Sequence, residues 1–242
     1  MSTPLAAVIF DVDGTLYHQR PLRRAMAVRL LTALARRPVT GARTLRVLRA
    51  YRRAQETLRT SSVVDVAAAQ IRVASEQTGV HGDIVAGYVR RWMEEEPLSV
   101  LPGCVYPGTV DLLRACRANG LRLAALSDYP ADEKLRVMGM AGLFDVVLCA
   151  QAPDVNAFKP NPKGLLVALD RLGVTAGECV YVGDRVDVDA AAAEAAGMRC
   201  VILTQREIAP APGSFVPVSD FRQLLALLVP QASTVNHSRG RL

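Results

Sequence analysis

The sequence predicts an α/β protein: a parallel sheet covered by helices on both faces, with an α-helical subdomain inserted after the first strand. Three observations carry this. Six consecutive apolar residues, Leu5 to Phe10, run directly into Asp11 and Asp13. A stretch with helical periodicity then separates this strand from the next strand pattern. From Leu101 onward, short apolar runs alternate with helical stretches of about ten residues, as in a sheet whose strands are joined by crossover helices.

Taken in order, the first run is too apolar for a half-exposed strand and too short for a helix, so it is placed as a central strand. Residues 20–97 follow a helical pattern. Leu45, Leu48, Tyr51, Gln55 and Leu58 recur at steps of three and four, while Arg46, Arg49 and Arg53 keep the same period on another face. The alanine-rich run Val66 to Gln77 stops near Gly79, and Asp83 is expected to N-cap a helix that reaches Pro97. After "LPGCVYPGTVDLL" a helix spans Gly108 to Asn119, and "LRLAALSD" follows as a strand. A short helix from Ala131 to Gly139 leads to the strand "FDVVLCA", and a helix from Lys163 to Leu172 to the strand "ECVYVGD". A helix from Asp189 to Ala196, the strand "MRCVIL" and a closing helix from Asp220 to Leu228 complete the pattern. The chain therefore divides into a Rossmann-like core of residues 1–16 and 101–230, a helical insertion of residues 17–100, and a flexible polar tail of residues 231–242.

Half of the 242 residues are apolar and 21% are charged, which fits a folded globular protein and excludes a disordered or fibrous one. No apolar run approaches the roughly 18 residues needed to cross a bilayer, and the start lacks the features of a secretory leader, so a cytoplasmic location is expected. The five cysteines, Cys104, Cys116, Cys149, Cys179 and Cys200, follow no metal-binding spacing and are expected as reduced core thiols. Twelve arginines lie between Arg20 and Arg59 against a single acid, Glu56. That segment therefore carries +11 in a chain whose total is +6, leaving −5 for everything else. The basic balance belongs to one segment, and its single aromatic residue, Tyr51, argues against nucleic acid.

Ligands of parallel sheets bind at the carboxyl ends of the strands. Three predicted strands end there in acids or hydroxyls: Asp11 and Asp13, Ser127 and Asp128, and Asp184. Carboxylates crowded at one rim repel one another unless a cation joins them, and an all-oxygen donor set suits Mg²⁺ better than a softer metal. The plainer alternative is that such acids cap the following helices, an alternative strongest for Asp189 before "AAAAEAAG".

"FDVDGTLY" resembles the first motif of the haloacid dehalogenase-like (HAD) superfamily, whose phosphatase members carry DxDGT after an apolar strand. "LSDYP" resembles the second motif, with Ser127; "KPNP" the third, with Lys159; and "VGDRVDVD" the fourth, with Asp184 and Asp189. Four motifs in order are far more specific than a lone DxD. The resemblance implies Asp11 as nucleophile, Asp13 as general acid and base, Ser127 as a hydrogen-bond donor to the phosphoryl group and Lys159 as its counter-charge. It also implies Mg²⁺ held by Asp11, the Asp13 carbonyl and Asp184. Gly14, Thr15 and Asp128 join Ser127 and Lys159 in the substrate-binding set. Asp128 is expected to bind metal-bound water or cap the next helix. Asp187 and Asp189 are expected to support the metal from behind its direct ligands, although Asp187 also fits an exposed turn.

In the same family a helical insertion between the first and second motifs forms a cap that selects the substrate. The implied function is an Mg²⁺-dependent phosphatase acting on a small phosphorylated molecule. Alternatives are a phosphomutase of the same fold and a phosphatase acting on a lipid-linked phosphate. A dehalogenase is disfavoured, because the resembling motif there lacks a second acid at position 13. Four readings stand for the arginine-rich segment: a solvated face, a grip on a second anionic group of the substrate, contact with an anionic membrane through Arg20 to Arg59, and nucleic acid as the weakest.

Overall fold

The computed structural model of the chain describes residues 4–61, 63–205 and 214–229. The expected tail of residues 231–242 lies outside the described residues. Six parallel strands form one sheet in the order β3-β2-β1-β4-β5-β6: β1 Ala7–Asp11, β2 Arg122–Ser127, β3 Val146–Cys149, β4 Cys179–Gly183, β5 Arg199–Leu203 and β6 Val216–Val218. Phe10 of β1 pairs with Ala125 on one side and Val182 on the other. The chain thus builds outward on one flank of β1 and then crosses to the other, which makes the carboxyl end of β1 the switch point where such sheets bind ligands.

The continuous apolar run of β1 is explained by two cores. Val8 and Phe10 pack on one face with α5 (Thr109–Ala118), α6 (Asp132–Val137) and α9 (Phe221–Leu228), while Ala7 and Ile9 pack on the other with α7 (Lys163–Leu172) and α8 (Ala191–Ala195). A strand buried on both faces needs no polar alternation.

Between β1 and β2 the chain forms α1 (Gln19–Arg36), α2 (Pro38–Leu58), α3 (Val66–Thr78) and α4 (Gly82–Val89), then a π-helical turn Arg90–Glu95 and 3₁₀ turns Glu96–Ser99 and Leu101–Cys104. Of the predicted stripe of α2, Leu48, Tyr51, Gln55 and Leu58 are buried and Leu45 is half-buried, whereas Arg46, Arg49 and Arg53 are exposed. Val47, Ala50, Tyr51, Ala74, Val80, Val85 and Val89 give the insertion an apolar cluster of its own. Its two ends meet: Tyr17 and Val105 form an antiparallel bridge, and the His18 amide donates to the Cys104 carbonyl at 2.8 Å.

Three expectations are corrected. Asp83 does not cap α4; it lies in the first turn, because the Ile84 and Val85 amides already bond the His81 carbonyl. Asp189 does not cap α8 but sits inside a π-helical turn, Val186–Ala190. The strand β6 was not expected, since three residues with a central Pro217 carry little strand signal and suit only a sheet edge. The five cysteines are free, and all but the half-buried Cys149 are buried.

Candidate active site

The site grows from the carboxyl ends of β1, β2 and β4. Lys159, buried in the loop after β3, donates to Asp11 Oδ1 at 2.5 Å, to Asp189 Oδ1 at 2.7 Å and to the Tyr181 hydroxyl at 3.0 Å. Thr15 Oγ1 donates to the other Asp11 oxygen at 3.0 Å. The Tyr181 hydroxyl donates to Asp189 Oδ1 at 2.8 Å, and the amides of Asp184 and Arg185 donate to Asp189 Oδ2 at 3.2 and 3.0 Å. Both oxygens of Asp189 are thereby satisfied, which fixes the backbone from which Asp184 projects.

Carboxylate oxygens of Asp11, Asp184 and Asp189 lie within 4.8 Å of one another. Burial pushes the Asp11 carboxyl up to about 8, aided by Asp189, Asp184 and Asp13 and opposed by Lys159. Burial and Asp189 push Asp184 up to about 6. One buried ammonium does not balance three carboxylates, and the missing charge is what a divalent cation brings. The backbone leaves room for the cluster. A Cβ at Gly14, whose φ is +111°, would lie 2.4 Å from Asp184 Oδ2, and one at Gly183 would lie 2.4 Å from Asp189 Cβ. Hard oxygen donors in such a cradle fit Mg²⁺. The sequence reading paired Asp11 and Asp184 with the Asp13 carbonyl; that carbonyl accepts a hydrogen bond from Gln19 Nε2.

The Asp13 carboxylate is held separately. Lys134 Nζ donates to Oδ1 at 2.7 Å and to Oδ2 at 2.9 Å, Ser127 Oγ donates to Oδ2 at 3.0 Å, and the Tyr17 hydroxyl also donates to Oδ1. Burial raises the Asp13 carboxyl, but Lys134, Tyr17 and Ser127 outweigh it and hold the group below the usual carboxylate range. Lys134, Tyr17 and Gln19 were missed by sequence reasoning. A signal existed: the chain has only three lysines, Lys134, Lys159 and Lys163, against a strong preference for arginine, and two of the three are buried in this site.

Asp128, next to Ser127, faces the insertion. Its Oδ2 accepts from Gln55 Nε2 at 2.8 Å and pairs with Arg59 Nη1 at 2.9 Å, and Arg59 also donates to the Lys159 carbonyl at 2.5 Å. Asp128 does not cap α6, whose N-cap is Ala131, and it is not in the acidic cluster. Its partners, Gln55 of α2 and Arg59 at the C-terminal cap of that helix, explain why an acid stands there. Asp187 is likewise outside the cluster: it is exposed and pairs with Arg185 at 2.6 Å.

Comparison with known proteins gives a consistent neighbourhood. A family model described as haloacid dehalogenase-like hydrolase matches residues 5–197. A phosphoglycolate phosphatase of Rhodospirillum rubrum is 32% identical over 231 residues, covering 90% of this chain and 88% of the relative. A glyceraldehyde 3-phosphate phosphatase of Methanopyrus kandleri is 30% identical over 203 residues, covering 80% and 82%. Among solved structures, a 2-haloacid dehalogenase of Pseudomonas syringae pv. Tomato DC3000 superposes with a TM-score of 0.66 at 24% identity over 94% of this chain and all of that one, a likeness of fold.

Proposed function

This chain belongs to the haloacid dehalogenase-like hydrolases, as a phosphoric monoester hydrolase, and from that premise we propose that it releases phosphate from a small phosphorylated metabolite through an aspartyl-phosphate on Asp11. The observation that carries the reading is the placement of Asp11: a carboxylate at the switch point of the sheet, held at 2.5 Å by a buried lysine, beside Ser127 and an acidic cluster fit for Mg²⁺.

Asp11 attacks phosphorus, forming a P–O bond as the bond to the leaving alcohol breaks. Asp13, ionised and paired with Lys134 in the free site, takes up a proton as the anionic substrate enters; it then gives that proton to the leaving oxygen and later takes one from the water that hydrolyses the acyl phosphate. Lys159 offsets the charge that an anionic nucleophile and an anionic substrate bring together, and Ser127 donates to the phosphoryl group. Asp11 and Asp184, with the Asp13 carbonyl, would hold Mg²⁺, and Asp189 supports them through Lys159 and the Asp184 amide. When bound, the ion supplies the positive charge that the carboxylate cluster lacks.

Residues 17–100 act as a cap over this rim. Gln55 of α2 and Arg59 at its C-terminal cap reach Asp128, so the insertion touches the residue adjoining Ser127. Relatives named for phosphoglycolate and glyceraldehyde 3-phosphate support a substrate of two or three carbons, with phosphoglycolate the foremost candidate. The second acid at position 13 favours phosphate esters over carbon–halogen bonds, because an alkoxide leaving group needs a proton and a halide does not.

The test is phosphate release from a panel of phosphorylated metabolites with Mg²⁺ and again after chelation. Phosphoglycolate should lead the panel, chelation should stop turnover, and Asp11→Asn should abolish it. A panel with no active monoester would sink the reading.

A further inference from the structure

The catalytic rim leaves unexplained the basic outer face of the insertion. From Gly14 to Gln55 the chain contains no Asp or Glu. On α1, Arg24, Val28, Leu31 and Ala35 recur at steps of four, three and four and are all exposed, with Val28 at 63% and Leu31 at 61%. On α2, Val39, Ala42, Arg46, Arg49 and Arg53 form an exposed stripe, with Val39 at 83%. Between the helices lies a groove of about 660 Å³, with apolar walls from Leu34 and Leu45, Thr78 of α3 at one side, and Arg46, Arg49 and Arg53 along it.

Among the described residues these three arginines make no ion pair and no side-chain hydrogen bond, unlike Arg29 and Arg59 of the same segment, which pair with Glu96 and Asp128. No acid lines the groove. Burying Met26 inward while exposing Val28 and Leu31 outward gives α1 apolar residues on two sides, where one would serve the fold.

We propose that this α1–α2 face docks the protein on an anionic lipid surface, with the arginines meeting headgroups and Val28, Leu31 and Val39 entering the boundary of the acyl chains. Exposed aliphatic side chains beside arginine, with no acid to repel the surface, offer an anionic interface both apolar contact and opposite charge. Each basic residue adds attraction within a Debye length of an anionic leaflet. Nucleic acid fits less well, since the face offers aliphatic groups where stacking would call for aromatic ones. Docking is independent of which substrate the site takes.

The test is co-sedimentation of the full chain at low salt with vesicles of phosphatidylcholine alone and of phosphatidylcholine mixed with phosphatidylglycerol. The expected result is binding to the mixed vesicles only, falling as salt rises. An Arg46→Gln, Arg49→Gln, Arg53→Gln variant and, separately, a Val28→Asn, Leu31→Asn variant should each bind at least about tenfold more weakly. Both should keep the wild-type melting temperature and turnover of p-nitrophenyl phosphate, which shows that they remain folded. Absence of wild-type binding, or full binding by either variant, overturns the proposal. So does tighter binding to single-stranded RNA that ignores the Val28 and Leu31 changes, which would assign the face to nucleic acid.

Discussion

Lys134 grips both oxygens of Asp13, while Tyr17 and Ser127 donate to the same carboxylate. A carboxylate with this many donors has little freedom to rotate, so its orientation is set before substrate arrives. If Asp13 delivers a proton, the value of that orientation depends on the leaving group. An alkoxide needs the proton and p-nitrophenolate does not. Lys134→Met should therefore slow an alkyl monoester by about 10²-fold or more, with a far smaller effect on p-nitrophenyl phosphate. Equal losses on both would leave Lys134 a purely structural role. At this scale the sequence reveals groups that sit close along the chain: Asp11 ends β1 and Asp13 follows two residues later in the turn. It hides Lys134, because 121 positions separate it from its partner and only burial joins them. It also leaves Asp128 unexplained, since Gln55 and Arg59 lie in and just after a helix more than 60 positions earlier.

At the scale of elements, strands and turns set how closely the acids approach. A methyl group at Gly183 would meet the Asp189 side chain at 2.4 Å, against backbone that cannot retreat from the sheet. Gly183→Ala should push Asp189 from Lys159 and weaken Mg²⁺ affinity, read by the metal concentration giving half-maximal activity; an unchanged value would show that Asp189 has room to move. The start of β2 depends on another carboxylate. Asp145 accepts from the Leu123 amide at 2.8 Å and from Arg117 at 2.8 Å. Burial raises the Asp145 carboxyl, but the Leu123 amide and Arg117 together outweigh it and hold the group below its ordinary value of 3.8. A folded pKa below the unfolded one stabilises the protein above 3.8 and loses that contribution as pH falls through the folded value. Urea midpoints of the wild type should exceed those of Asp145→Asn at neutral pH and converge with them in strong acid. A constant gap would remove the carboxylate's role. The long helices and buried strands were legible because their periodicity is sustained. The π-helical turn at Val186–Ala190 was not, because the requirement that shapes it, Asp189 reaching back to two amides, lies outside any helical pattern.

At the scale of the whole molecule, insertion and core meet through two kinds of contact. Leu58, Val66 and Ala69 pack with Ala150 and Phe158, one residue before the buried lysine, and Gln55 and Arg59 bond Asp128. Arg59→Met keeps the bulk and removes the charge, so it should cost about 1–3 kcal/mol of stability and raise KM more than it lowers kcat. A fall in kcat alone would place Arg59 in the chemistry instead. The division into sheet and helical insertion was readable from the change of period after Leu101, whereas the seam between them depends on side chains that no period reports. Everything proposed for the rim depends on a covalent step at the end of β1. Its most direct measurement is acid quenching during turnover of phosphoglycolate with Mg²⁺, followed by mass spectrometry of the peptide containing Asp11. A phosphoryl group on Asp11 in the wild type, absent in an inactive Asp11→Asn, is the expected result; turnover with Asp11 unmodified, or phosphate release undiminished in Asp11→Asn, would contradict it.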